Sequence, residues 1–259
     1  IIAAAKVGGI YSNNMSGADY IYENLQIQNN LIYGSFKNKV KRLLFLGSSC
    51  IYPKFAKQPI KEEYLLTDSL EKTNEAYALA KIVGVKLCEY YNKQFGKNFF
   101  TLMPCNLYGP NDNFELRGSH FVPALINKII NAKKYNKSKT EIWGTGNPKR
   151  EVMYVDDLAR AIYFLVREKI KNNKKLLNIV KKNPLINVGS GNEYTIKEVA
   201  LKICEIANVN TKLVFNKNYP DGTKRKVVDN SIIKKLGWSS KISLDQGLLK
   251  TINWYKNNN

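Results

Sequence analysis

The chain has 259 residues, 44% of them apolar and 24% charged, which is enough for a large core and ordinary for a soluble globular protein. Its formal charge is +20, but the lysines are scattered among asparagines ("NKVKR", "NAKKYNKSK") with no RNP-like aromatic motif or recognition-helix signature, which argues against a nucleic-acid partner. No apolar run approaches the roughly 18 residues of a membrane span, and four cysteines without a CxxC spacing beside a single histidine leave no zinc pattern and no metal site.

The start, "IIAAAKVGGI", has no basic segment before its short apolar stretch and makes a poor signal peptide. Reduced thiols in a cytoplasm are expected. "IIAAA" reads as a short buried strand and residues 18–36 as a helix with apolar residues three and four apart. "KRLLFLGSS" is a near-continuous apolar strand ending in small residues, the pattern of a central parallel strand. A long helix starts near Asn74, and the strand "FFTLMP" follows, stopped by Pro104. A helix begins near His120–Pro123, then comes the strand "EIWGT". "KREVMYVDDLARAIYFLVRE" begins as a strand and turns helical near Asp156, and residues 168–183 read as an exposed polar connection. "LINVGSG" and "TKLVF" are strands. "TIKEVALKICEIANV" is a helix capped by Thr195 with Glu198 three residues on, and a last helix is capped by Ser243.

Alternating strand and helix predict a doubly wound parallel α/β sheet. Yet no GxGxxG or GxxGxxG follows a strand; "GTG" at 144–146 and "GSG" at 189–191 are too short. Either the fold does not bind a dinucleotide or the chain starts partway through one that does.

Two features bear chemistry. Tyr77 and Lys81 lie four apart, on one helix face. An ammonium beside a phenol favours the phenolate and should lower the Tyr77 pKa, making it a proton donor or acceptor for a carbonyl. Alone, the spacing is more often a surface pair. Ser48, Ser49 and Cys50 sit just past the C-terminal end of an apolar strand, where open α/β sheets bind ligands. A serine there can hydrogen-bond the same substrate oxygen.

"GSSCIYP", with "YALAK" placing Tyr77 29 residues after Ser48, resembles the extended short-chain dehydrogenase/reductase superfamily. "AAAKVGGI", "KQPI", "MPCNLYGPNDNF", "SHFVPALI", "WGTGNPKREVMYVDDLA" and "PDGTKRK" narrow the resemblance to the GDP-L-fucose synthase family, the GDP-4-keto-6-deoxy-D-mannose 3,5-epimerase/4-reductases. The resemblance spans nearly the whole chain. It implies NADP(H) as cofactor, a GDP-sugar substrate and a homodimer packed through the two long helices.

By that resemblance Cys50 is the base and His120 the acid of epimerisation beside a ketone, whose neighbouring carbons are acidic because the enolate is delocalised. Tyr77 is then the proton donor for reduction, Ser48 its partner on the substrate oxygen, and Lys81 the holder of the nicotinamide ribose. Leu46, Gly47, Ser48, Ser49, Tyr77, Lys81, His120 and the segment Pro104, Cys105, Asn106, Leu107 are implied cofactor contacts. The family usually has threonine at position 105. Lys128, Trp143, Arg150 and Asp221 are implied contacts to the nucleotide sugar, Arg150 as a phosphate donor. Some relatives carry arginine at 128, so lysine would keep the charge without the two-pronged fork.

The expected organisation is a Rossmann-like domain, residues 1–112 and 151–190, lacking its first strands and glycine-rich turn, with an interleaved substrate domain, 113–150 and 191–259. Family members begin with that strand and turn, so about 60 residues are expected upstream of Ile1. The chain is then expected to bind NADPH weakly by itself and to expose an apolar edge at "IIAAA". Alternatives are another NAD(P)-dependent nucleotide-sugar epimerase or dehydratase, and a catalytically silent fragment. Cys50 with His120 favours the first reading over a 4-epimerase, which needs no such pair.

Overall fold

The computed structural model describes residues 1–116, 118–167, 174–219 and 221–259. In chain order α1 (Ile10–Met15) and α2 (Gly17–Lys37) precede β1 (Arg42–Leu46). Next come α3 (Glu75–Phe95), β2 (Asn98–Pro104), β3 (Asn106–Tyr108), α4 (Phe121–Lys134), β4 (Lys139–Trp143), β5 (Lys149–Tyr154) and α5 (Val155–Val166). The rest is α6 (Lys174–Lys182), β6 (Leu185–Val188), β7 (Glu193–Thr195), α7 (Ile196–Ala207), β8 (Lys212–Asn216), β9 (Arg225–Lys226), α8 (Ser231–Lys235) and α9 (Leu244–Asn258).

β1, β2 and β6 form a parallel sheet in that order, with Leu44 opposite Phe100 and Leu102 opposite Ile186. Covered on both faces, these strands need apolar residues at successive positions, and Leu43, Leu44, Phe45, Phe99, Phe100, Leu102 and Met103 are all buried. The "IIAAA" strand is shorter than its pattern suggests. Ile2 alone bridges to β1, donating to Leu44 O at 2.8 Å and accepting from Leu46 N at 2.9 Å, while Ile1, Ala3 and Ala4 are exposed.

α3 buries Ala78, Lys81, Ile82, Val85 and Cys88 along one stripe and ends at Gly96, whose φ of 60° suits glycine. A Cβ at Gly84 would strike the Phe45 ring, so glycine lets the helix close onto β1 and brings Lys81 against the strand end. α2 packs against α3, and its buried Gln28 donates to Ala80 O at 2.5 Å.

A second assembly collects β3, β5, β7 and β9 around β5, with β4 and β8 as a separate parallel pair. α4, α7 and α9 share its core through Ile126, Ile129, Val199, Ile203, Leu248 and Ile252. Each such side chain contributes roughly 1.5–3 kcal/mol on burial. Thr195 with Glu198 closes a capping box, as the spacing predicts, and the expected cap Ser243 closes another with Gln246. The polar stretch expected to be a connection is helical over Lys174–Lys182, and residues 168–173 lie outside the described residues. Its alternation of basic and apolar residues suits an amphipathic helix as well as a solvated strap.

Candidate active site

The candidate residues gather at the C-terminal ends of the parallel strands. Gly47 N donates to Leu102 O at 2.9 Å, and a Cβ there would run into the Met103 side chain, so the turn after β1 has room only for glycine. Ser48 then accepts from Cys50 N at 3.2 Å and caps a short helical turn over Ser49–Ile51. This turn folds Cys50 back over the strand end and buries Ser49. Cys105, also buried, donates its N–H to Val188 O at 2.9 Å, and Asn106 Nδ2 donates to Glu151 O at 2.9 Å. Pro104 ends β2 and Leu107 lies in β3, which follows directly.

Lys81 is 3% exposed, donates to Leu46 O at 2.8 Å and lies 4.7 Å from the Phe45 ring centroid and 5.8 Å from that of Tyr77. Desolvation pulls its pKa down to about 8. The expected lowering at Tyr77 is not found. Burial first, and then the charge of Cys50, push its phenol above the ordinary value, with hydrogen bonding to Ser48 opposing them. Lys81 stands over the ring, 5.8 Å from its centroid, and its charge does not offset burial. Tyr77 is therefore a protonated phenol at neutral pH, fit to donate.

Cys50 is half-buried, and Lys226 Nζ lies 3.4 Å from its sulfur, close enough to donate. Burial pushes this thiol up, but Lys226, Ser48 and the more distant Arg150 outweigh it and leave the pKa below its ordinary value. His120 precedes α4 at its N-terminus. The residue is exposed overall, yet desolvation lowers its pKa, Asp112 raises it, and Lys226 lowers it again. Lys226 thus acts on Cys50 and His120 alike, which places both in one electrostatic neighbourhood with Tyr77.

The remaining candidates form an adjoining outer cluster. Lys128 Nζ sits 4.3 Å from the Trp143 ring centroid and donates to Glu141 O at 3.1 Å. Trp143 stacks on Tyr219 with centroids 4.4 Å apart at 14°. Asp221 accepts from Thr145 N at 2.9 Å and Thr145 Oγ1 at 2.6 Å, pinning the turn after β4. Arg150 donates to Thr223 O at 2.5 Å and feels the charges of both Asp221 and Cys50, so it links the two clusters.

Sequence reasoning missed Lys226, Asp112, Glu151 and Tyr219. Lys226 stands in the quoted "PDGTKRK", but nothing in its spacing ties it to a cysteine 176 positions away. Glu151 is fully buried and accepts from Gly191 N at 2.7 Å, Val228 N at 2.9 Å and Asn230 Nδ2 at 3.2 Å. It joins β5 to the segment that carries Lys226. A lone Glu within an apolar strand was the available signal, since burial of a carboxylate demands partners. Among the described residues no group of His, Cys, Asp or Glu could hold a metal ion, and no helix is long and apolar enough to cross a membrane.

The model of the NAD dependent epimerase/dehydratase family matches residues 1–180. The chain is 46% identical over 257 residues to a GDP-L-fucose synthase of Escherichia coli (strain K12), covering 99% of this chain and 79% of that protein. It is 49% identical over 258 residues to GDP-L-fucose synthase 1 of Arabidopsis thaliana, covering 100% of this chain and 76% of the relative. Among solved structures it is similar to a GDP-mannoheptose C4 reductase from Campylobacter jejuni with NADP bound, with a TM-score of 0.85, 41% identity and coverage of 98% of this chain and 80% of that one. The chain belongs to the NAD dependent epimerase/dehydratase family and, within it, to the GDP-L-fucose synthase family.

Proposed function

We propose that the chain carries the machinery for 3,5-epimerisation of GDP-4-keto-6-deoxy-D-mannose and for NADPH-dependent reduction of the 4-ketone to GDP-L-fucose. The observation that supports it most is the half-buried Cys50 thiol, held below its ordinary pKa beside Lys226, in the same field as His120 and beside the protonated Tyr77. Cys50 is the base that removes a proton beside the ketone, and His120 is the acid that returns one to the opposite face. Ser48 and Tyr77 hold the oxygen that carries the enolate charge, and Tyr77 donates its proton when the ketone is reduced.

Lys81 suits a nicotinamide-ribose contact. It is a buried ammonium hydrogen-bonded to one carbonyl, it has no ion-pair partner among the described residues, and it keeps N–H groups free for hydroxyls. Leu46, Gly47 and Ser49 at the end of β1, and Pro104, Cys105, Asn106 and Leu107 at the end of β2 and in β3, are the further cofactor contacts of this reading. NADP(H), when bound, supplies the hydride. Arg150 and Lys128 meet the pyrophosphate, Trp143 the nucleotide, and Asp221 holds the turn that presents Trp143.

The cofactor half is assigned to residues 1–112 and 151–190, built on the parallel β1–β2–β6 sheet, and the substrate half to residues 113–150 and 191–259, built on α4, α7 and α9; β3 and most of β5 belong to the first range by sequence and pair within the second assembly, so they join the two halves. Leu31, Leu79, Val83 and Tyr90 are exposed on α2 and α3, which supports a homodimer through that helix pair, working in the cytoplasm.

The test is solvent deuterium uptake into the keto-sugar, which needs no reductant. Cys50→Ser is expected to slow exchange by about a hundredfold or more. Unchanged exchange would remove the base and, with it, the epimerase reading.

A further inference from the structure

Lys226 has a setting unusual for a lysine. It lies on β9, with Arg150 opposite it in register on β5. Its neighbours are pinned from three directions. Arg225 makes two hydrogen bonds to Glu193, at 2.7 and 2.9 Å. Val227 N donates to Gln58 Oε1 at 2.9 Å, and Val227 O accepts from Ile60 N at 2.8 Å. Val228 N donates to the buried Glu151 at 2.9 Å. So many constraints on a short strand fix where one side chain begins. Yet no carboxylate pairs with Lys226 among the described residues; the group it reaches is the Cys50 sulfur at 3.4 Å.

We propose that Lys226 is the positioning residue that couples the two proton-transfer groups, its ammonium being the counter-ion of a Cys50 thiolate and the charge that His120 senses across the site. The proposal deepens the epimerase reading and rests on Cys50 and His120 being that pair. The charged and titratable groups facing them are Lys226, Arg150, Tyr77 and Asp112. Cys50 is also the one free cysteine whose thiol is held down; burial raises Cys88, Cys105 and Cys204.

The coupling follows from charge balance. With Cys50 as thiolate, its charge neutralises Lys226 and so weakens the repulsion that Lys226 exerts on a proton at His120. When the thiolate takes the proton from the sugar carbon, the C–H electron pair moves into the enolate and an S–H bond forms. The Lys226 charge is then uncompensated and favours release of the His120 proton, which the enolate carbon accepts with that electron pair. One proton is taken and one is given, with no redox change. Proton removal on one face thus promotes delivery on the other.

The experiment uses the 259-residue chain without substrate. The pH profile of Cys50 alkylation by iodoacetamide is followed on its own peptide by mass spectrometry, and the single histidine is titrated by its imidazole proton NMR signals. In Lys226→Met both midpoints are expected to move to higher pH, with alkylation at pH 7 slowed by about tenfold. Lys226→Arg should restore both. Profiles of Lys226→Met that match the unsubstituted chain would overturn the proposal and leave Lys226 as a ligand for substrate phosphate. A variant that does not fold leaves the decision to the unsubstituted chain: raising salt from about 0.05 to 0.5 M screens the cations beside the thiol and should move the Cys50 midpoint upward, and a salt-independent Cys50 midpoint would overturn it. These readouts involve no turnover, so they can succeed while deuterium exchange in Cys50→Ser refutes the base assignment, or fail while it stands.

Discussion

The Lys81 ammonium donates a 2.8 Å hydrogen bond to the main-chain carbonyl of Leu46, 35 positions earlier, and no carboxylate compensates its charge among the described residues. Burial lowers its pKa from 10.5 to about 8. Below pH 8 the folded and unfolded chains both carry the proton and folding bears the full desolvation cost. Between pH 8 and 10.5 the unfolded chain binds more protons, so stability rises with pH through that window.

The contribution of Lys81 to that rise should be about 2–3 kcal/mol. Denaturant unfolding of the unsubstituted chain and Lys81→Met, compared from pH 7 to 10.5, isolates it. The difference between the two should shrink as pH climbs. A difference that is constant with pH would mean that Lys81 titrates as it does in the unfolded chain. Such a cost at a site residue is the kind of strain a protein retains where function requires it.

Tyr77→Phe should cut reduction of the ketone by about 10²–10⁴-fold, followed as NADPH consumption with already epimerised sugar. Deuterium exchange should fall less, because Cys50 and His120 carry out that stage. Since burial and the Cys50 charge hold the phenol protonated, the reduction rate should show no break from Tyr77 ionisation between pH 7 and 9. Full reduction in the variant would remove Tyr77 as donor.

Glu151→Gln should destabilise the fold by about 1–3 kcal/mol, read as a lower denaturation midpoint. The carboxylate accepts from Gly191 N, Val228 N and Asn230 Nδ2, and an amide would turn one oxygen into an N–H facing a donor. The side chain also sits against Gly189, where a Cβ would strike it. Because Val228 is two residues from Lys226, the variant should also slow Cys50 alkylation. A stable variant with unchanged alkylation would show that the carboxylate does not hold the β9 segment.

Sequence alone determined what local rules govern. The apolar run before Gly47 marks a strand buried on both faces, because only a sheet covered on both sides tolerates successive apolar positions. Thr195 with Glu198 marks a helix start, because both groups satisfy amides within one turn. Tyr77 and Lys81 share a helix face because four residues nearly complete a turn. Ser48 and Cys50 were legible as site residues from their place after that strand. Local rules fail where two states share one pattern: the polar stretch ending at Lys182 reads as a strap and folds as a helix, and "IIAAA" contributes one paired residue.

The tertiary structure decided the chemistry. It sets Lys226 against Cys50 across 176 positions, ties Glu151 to Val228 across 77, and lays a buried Lys81 over the Tyr77 ring. The direction in which a thiol, a phenol or an amine shifts depends on how much water is excluded and which charge stands within a few ångströms. Both quantities belong to the packed chain, because residues far apart in order become neighbours only when the sheet and its helices close.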